Sequence, residues 1–224
     1  MKKILCLMLV LSFAFALVSC NNGGGDDDKT PATDTVAKTL EEIVADSSPT
    51  KVKTYVDFVY PDKSPLSEYA LGGEYVLEVE GSDSIFTYNY TRLAELGEGD
   101  DMIVTESGTV YYKDGKYSSD GESFGAGVAV PTDGKLNLVR SAFKSYTKSE
   151  DGKTLSAIAT ADNIRSVLGV DIEAAGDVIM IVTTNGVYLT SVTITYEMAD
   201  GAKVVVETSY TYNPLDLVFP GEEE

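Results

Sequence analysis

The chain has 224 residues, 17 basic and 36 acidic, a net charge of −19, 43% hydrophobic residues, and neither histidine nor tryptophan. So acidic a surface repels phosphate backbones, which excludes nucleic acid as a partner, and it disfavours flat docking on anionic lipid headgroups. Without histidine the commonest general base, the commonest metal ligand and every histidine-containing triad are gone, so no catalytic residue, metal or cofactor is expected.

Read in chain order, Met1-Lys2-Lys3 is a short positive segment, and Ile4 to Val18 is an uncharged, mainly apolar run of 15 residues. A membrane span needs about 20 such residues, so this run has the length of the apolar part of an export signal. It ends in Leu17-Val18-Ser19-Cys20, which resembles the lipobox of bacterial lipoproteins. That resemblance implies cleavage between Ser19 and Cys20 and attachment of diacylglycerol to Cys20. Two acyl chains bury enough methylenes for stable anchoring, where one is marginal. Residues 1–19 are thus read as a signal peptide, with the domain held at the cell membrane or outer membrane, facing away from the cytoplasm. Losing Lys2 and Lys3 lowers the net charge from −19 to −21. Cys6 leaves with the signal, so the mature chain has no disulfide.

Residues 20–32 contain NNGGGDDD and have nothing to bury, the composition of a flexible tether. Asp26-Asp27-Asp28 does not make a calcium site, because consecutive residues of a flexible segment do not converge on one ion.

From Thr33 to Asp46, Val36, Leu40, Ile43 and Val44 fall on one helical face, with Thr33 or Asp34 as N-cap and Pro49 beyond the end. From Lys51 the period becomes two. Val52 to Tyr60, Tyr75 to Val79, Phe86 to Tyr90, Met102 to Glu106 and Thr109 to Tyr112 read as strands, and Asp114-Gly115 as a tight hairpin into Lys116-Tyr117. Val139, Ala142, Phe143 and Tyr146 fit a short amphipathic helix, Thr154 to Thr160 a strand, and Ile164, Val167 and Leu168 a second helix closed by Gly169. Three strands follow, Asp177 to Thr184, Val192 to Met198 and Val204 to Tyr212, punctuated by Asn185-Gly186 and Asp200-Gly201. Residues 220–224 are an acidic tail.

The expected fold is α+β: residues 33–219 form a single domain, one large curved antiparallel sheet whose apolar face is covered by the N-terminal helix and the short mid-chain helices. The order of elements, the closing hairpin at Tyr196 and the ending Tyr210-Thr211-Tyr212-Asn213-Pro214 resemble the LolA/LppX-type envelope lipoproteins. That resemblance implies a strongly bent, unclosed half-barrel with helices on its concave side and lipid or acyl chains carried there. It supplies no ligand residue.

Gly125-Ala126-Gly127 lacks the third glycine and the lysine-serine pair of a phosphate loop, and the acidic stretches Glu98 to Asp101 and Asp120-Gly121-Glu122 lack the alternating ligands of a calcium loop. All three read as surface turns. The 14 tyrosines offer more. Phe86, Tyr88, Tyr90 and Tyr196 stand on apolar strand faces, either as core between sheet and helices or as the wall of a pocket for an apolar ligand. The sequence therefore favours an anchored, non-enzymatic binding protein for a hydrophobic ligand such as lipid. The alternative is a surface interaction or adhesion module that recognises protein or glycan. An interior void would favour the first, and a solid core with exposed aromatics the second.

Overall fold

The structure is a computed structural model that describes residues 38–95, 101–125, 136–168 and 172–221. The tether, the signal, Cys20 and Gly169 lie outside them. Helix α1, Leu40–Ala45, begins at Thr39, whose hydroxyl accepts from the Glu42 N–H while the Glu42 carboxylate accepts from the Thr39 N–H at 2.7 Å. This reciprocal cap satisfies two amides that the first turn leaves without partners. The N-cap of this helix is therefore Thr39, not Thr33 or Asp34.

Ten strands form one antiparallel sheet. The first five are β1 (Lys51–Val59), β2 (Leu71–Glu80), β3 (Asp83–Glu95), β4 (Asp101–Lys113) and β5 (Lys116–Ser118). The rest are β6 (Phe143–Lys148), β7 (Thr154–Ala159), β8 (Val178–Thr184), β9 (Leu189–Glu197) and β10 (Lys203–Thr211). Their order is β5-β4-β3-β2-β1-β10-β9-β8-β7-β6. Each half is an up-and-down meander, and the halves join where β1 pairs with β10, from Lys51 opposite Thr211 to Val59 opposite Lys203. The Asp114-Gly115 hairpin forms as the sequence indicates, with both residues at positive φ, the geometry of the turn that matches strand twist.

Two elements differ from the sequence reading. Met102 to Tyr112 is one strand, not two. The stretch expected to be helical around Val139 to Tyr146 is a single 3₁₀ turn, Arg140–Ala142, followed by β6. Its apolar positions fit a helical stripe, but β6 pairs with β7 across the whole length of the hairpin, and that pairing outweighs the local pattern.

Apolar residues of both meanders face one side and join in a single core with Leu40 and Val44 of α1 and Ile164, Val167 and Leu168 of α2 (Ala161–Leu168). The fold is thus α+β, a large curved antiparallel sheet with helices on its apolar, concave side. Glu41 of α1 accepts from the Tyr146 hydroxyl and from Lys148 Nζ at 2.7 Å, which fastens the helix to β6. On the opposite face the segment after β10 runs back over the N-terminal meander. The Leu217 N–H donates to Glu80 at 2.9 Å, and Phe219 is buried between Tyr111 and Phe124 with Lys113 over its ring.

Candidate binding faces

Alternation along β3 sends Phe86, Tyr88, Tyr90 and Arg92 to the concave side, and the β2 register brings Tyr75 opposite Tyr88. The rings form a continuous sheet of their own. Tyr75 lies 6.2 Å from Phe86 and 6.1 Å from Tyr90, Phe86 lies 6.0 Å from Tyr88, and Tyr88 lies 5.8 Å from Tyr90. Two glycines make room for it. Gly73 sits opposite Tyr90 and Gly108 opposite Tyr88, so each ring lies over a neighbour that has no side chain. A Cβ on Gly108 would come within 2.6 Å of the Tyr88 hydroxyl, and one on Gly73 within 2.5 Å of the Tyr90 Cα.

Of the four rings singled out from the sequence, Phe86, Tyr88 and Tyr90 come together and Tyr196 does not. Tyr196 stands on β9, opposite Val204 and across the β1–β10 seam from the cluster. Phe86, Tyr90 and Tyr196 are 2%, 7% and 4% exposed, whereas Tyr88 packs on the core but remains partly open. Sequence reasoning passed over Tyr75, Gly73 and Gly108 as site residues. Glycine in the interior of a strand, facing an aromatic on the next, was the available signal.

The aromatic row ends in charge. Arg92 donates to Glu106 through Nε at 3.0 Å and Nη2 at 2.5 Å, and the Tyr90 hydroxyl donates to the other carboxylate oxygen. The Tyr90 hydroxyl and then the Arg92 guanidinium hold the Glu106 carboxyl below the usual carboxylate range. Both charged side chains are about one-third open to solvent, at 38% and 37%, so water reaches this end of the concave side. At the seam, the hydroxyls of Thr54 and Thr208 are buried and bond to each other at 3.1 Å.

The convex side is different. Because Val192, Ile194 and Tyr196 point inward, β9 presents Ser191, Thr193, Thr195 and Glu197 outward. A concavity of about 370 Å³ borders Lys53, Tyr55, Ser191, Thr193, Glu207 and Ser209. A second of about 340 Å³ borders Asp177, Ile179, Thr195, Glu197 and Lys203. Among the described residues no group of three or more His, Cys, Asp or Glu is placed to hold a metal, and no helix is long and apolar enough to cross a membrane.

No protein-family model matches the chain, and no curated protein does. Among solved structures it is similar to a LolA superfamily protein from Nitrosomonas europaea, with 12% identity and a TM-score of 0.28 over 79% of this chain and 93% of that one. At that identity and TM-score the likeness carries no functional argument, which rests instead on the chain's own residues.

Proposed function

We propose that this protein is an envelope lipoprotein, anchored through diacylglycerol on Cys20, whose single domain binds a hydrophobic ligand such as lipid and performs no catalysis. Cys20 follows the apolar run and lipobox-like residues, and lies ahead of a tether with nothing to bury. The ligand reading is carried by one observation: Tyr88 belongs to the Tyr75–Phe86–Tyr88–Tyr90 cluster and packs on the core, yet stays partly open, one inward-facing position from Tyr90 and two from Arg92 of the solvated Arg92–Glu106 pair. A hydrocarbon chain laid on this floor gains about 0.8 kcal/mol for each methylene fully buried. A fluorescent fatty-acid probe titrated into the full chain, stripped of co-purified lipid, tests this. Saturable binding that Tyr88→Glu weakens without unfolding the protein supports it, and no saturable binding refutes it.

A second reading has its own observation. Phe86, Tyr90 and Tyr196 are buried like ordinary core, which leaves the convex face as the recognition surface of an interaction module for protein or glycan. Loss of stability in the Tyr88 variant together with absent probe binding would put this reading first.

A further inference from the structure

The ladder registers gather one end of the sheet from both meanders. Lys51 opens β1 opposite Glu78 and Thr211, and the turns β2–β3, β4–β5, β6–β7 and β8–β9 all lie at that end. Helix α1 is fastened there too, because Glu41 in its first turn is held by Lys148, the last residue of β6. The chain that leads from Cys20 therefore enters the domain at this end. The first three turns carry or adjoin charge: Glu80 and Asp83, Asp114 and Lys116, then Glu150, Asp151 and Lys153. The β8–β9 turn does not. From Val178 to Tyr196 the sequence has no charged residue, in a chain that is 24% charged. At the tip of this hairpin Val187 and Tyr188 are 64% and 47% exposed.

The geometry points to this tip as a contact with the bilayer surface, seated at the boundary between headgroups and acyl chains. The inference takes its proximity argument from the Cys20 anchor proposed above, and is independent of the apolar site on the concave side. A backbone that enters this boundary must satisfy its polar groups away from water. The tip does so by itself. The Asn185 N–H donates to the Tyr188 carbonyl at 3.0 Å and the Gly186 N–H to the Thr184 hydroxyl at 3.3 Å. The Val187 and Tyr188 N–H groups both donate to the Asn185 side-chain oxygen, at 2.9 and 2.8 Å. What remains outward is an aliphatic side chain and a tyrosine, whose apolar ring and polar hydroxyl suit a membrane interface. Tyr188 is held by stacking on Tyr212, with ring centroids 4.5 Å apart. Lys153 flanks the tip, its Cε 3.6 Å from where a Cβ at Gly186 would stand. Its stem can lie along apolar surface while the ammonium reaches a lipid phosphate. Two apolar side chains alone hold a membrane weakly. The anchor changes this, since a linked second contact is intramolecular and gains effective concentration. A chain of net charge −19 is repelled by anionic headgroups, which selects a zwitterionic surface. Of the surfaces able to cover the tip, the bilayer is the one that the chain itself holds at this end.

The chain has no tryptophan, so a single introduced indole reports alone. The test reconstitutes the full chain into phosphatidylcholine vesicles with and without bromine on the acyl chains, and mass spectrometry reads diacylglycerol on Cys20 separately. Tyr188→Trp should shift its emission to shorter wavelength and lose intensity to the brominated lipid. Ile179→Trp, exposed on the same hairpin but at its far end, should do neither. Val187→Asp, added to Tyr188→Trp, should abolish both effects, and thermal melts check that each variant is folded. With lipid on Cys20, the docking inference is overturned and the anchor stands if Tyr188→Trp is quenched no more than Ile179→Trp, or if its quenching survives Val187→Asp. A blue shift without quenching means that a second copy covers the tip, and overturns it as well. If Cys20 carries no lipid, quenching of Tyr188→Trp retains the tip and removes the anchor, and its absence removes both.

Discussion

Gly108 lies directly across the ladder from Tyr88, and the tyrosine ring occupies the place where a side chain at 108 would stand. Gly73 holds the same relation to Tyr90, with one difference. An added Cβ at 108 meets the outer end of a ring that can swing, whereas one at 73 meets the Asn89 carbonyl oxygen at 2.2 Å and the Tyr90 Cα at 2.5 Å.

Gly73→Ala should therefore cost more than Gly108→Ala. Overpacking a well-filled site costs about 1–3 kcal/mol. Gly73→Ala is expected at or above the top of that range, because backbone must move, and Gly108→Ala at or below the bottom. Urea unfolding of the two variants measures the order, and the reverse order would contradict the geometry.

The buried Thr54–Thr208 pair invites a double-mutant cycle. Thr54→Val alone strands the Thr208 hydroxyl in the core and should cost about 1–2 kcal/mol, as should the converse change. Replacing both removes the need for the bond, so the double variant should lose clearly less than the sum of the singles. Strict additivity in denaturant melts would mean that each hydroxyl finds another partner.

Strand character was legible wherever one face alternates with the other, which holds for β1, β2, β3, β9 and β10. It failed at Val139 to Tyr146, where apolar residues three and four apart satisfy a helix as well as a short strand, and only the β7 partner decides. In the sequence β4 divides into two runs, Met102 to Glu106 and Thr109 to Tyr112, on either side of Ser107-Gly108, and glycine weakens a strand taken alone. Opposite Tyr88 it is what allows the strand to continue. The aromatic cluster was half visible for a related reason. Spacing along β3 groups Phe86, Tyr88 and Tyr90, but only the β2 register adds Tyr75, and only the strand order separates Tyr196.

The fastening of α1 should depend on pH. Burial pushes the Glu41 carboxyl up, but hydrogen bonds from Lys148 and Tyr146 outweigh it and hold the group below its ordinary value. A carboxyl lowered by folding contributes in full above its unfolded pKa, about 4.3, and that contribution is lost as pH falls through the lower folded value. Glu41→Gln should therefore be less stable than the parent at about pH 7, with the gap closing towards about pH 3. The pair is partly solvated, so the gap should be at most about 1 kcal/mol. Chemical unfolding across this range checks it, and a gap that stays constant would assign the contact no ionic character.

Cys20→Ala should abolish lipid attachment. Cells fed an alkyne fatty acid should yield a labelled parent and an unlabelled variant that keeps its leader. Equal labelling of the two would place the modification elsewhere.

The β1–β10 seam has a consequence for how the chain reaches its folded state. Thr50 bonds to Thr211 across a separation of 161 residues, so the central ladder of the sheet is also its most non-local. Closing so long a loop is entropically costly and slow, and helices and hairpins within each meander form sooner. A chain emerging from its N-terminus completes β1 long before β10 exists. Throughout that interval β1 offers a full, hydrogen-bonding edge, with Val52 and Val56 exposed beside it, to any other strand nearby. The segment most in need of shielding during synthesis is thus the one that ends up in the middle of the finished sheet, and its vulnerability ends only when the last strand arrives.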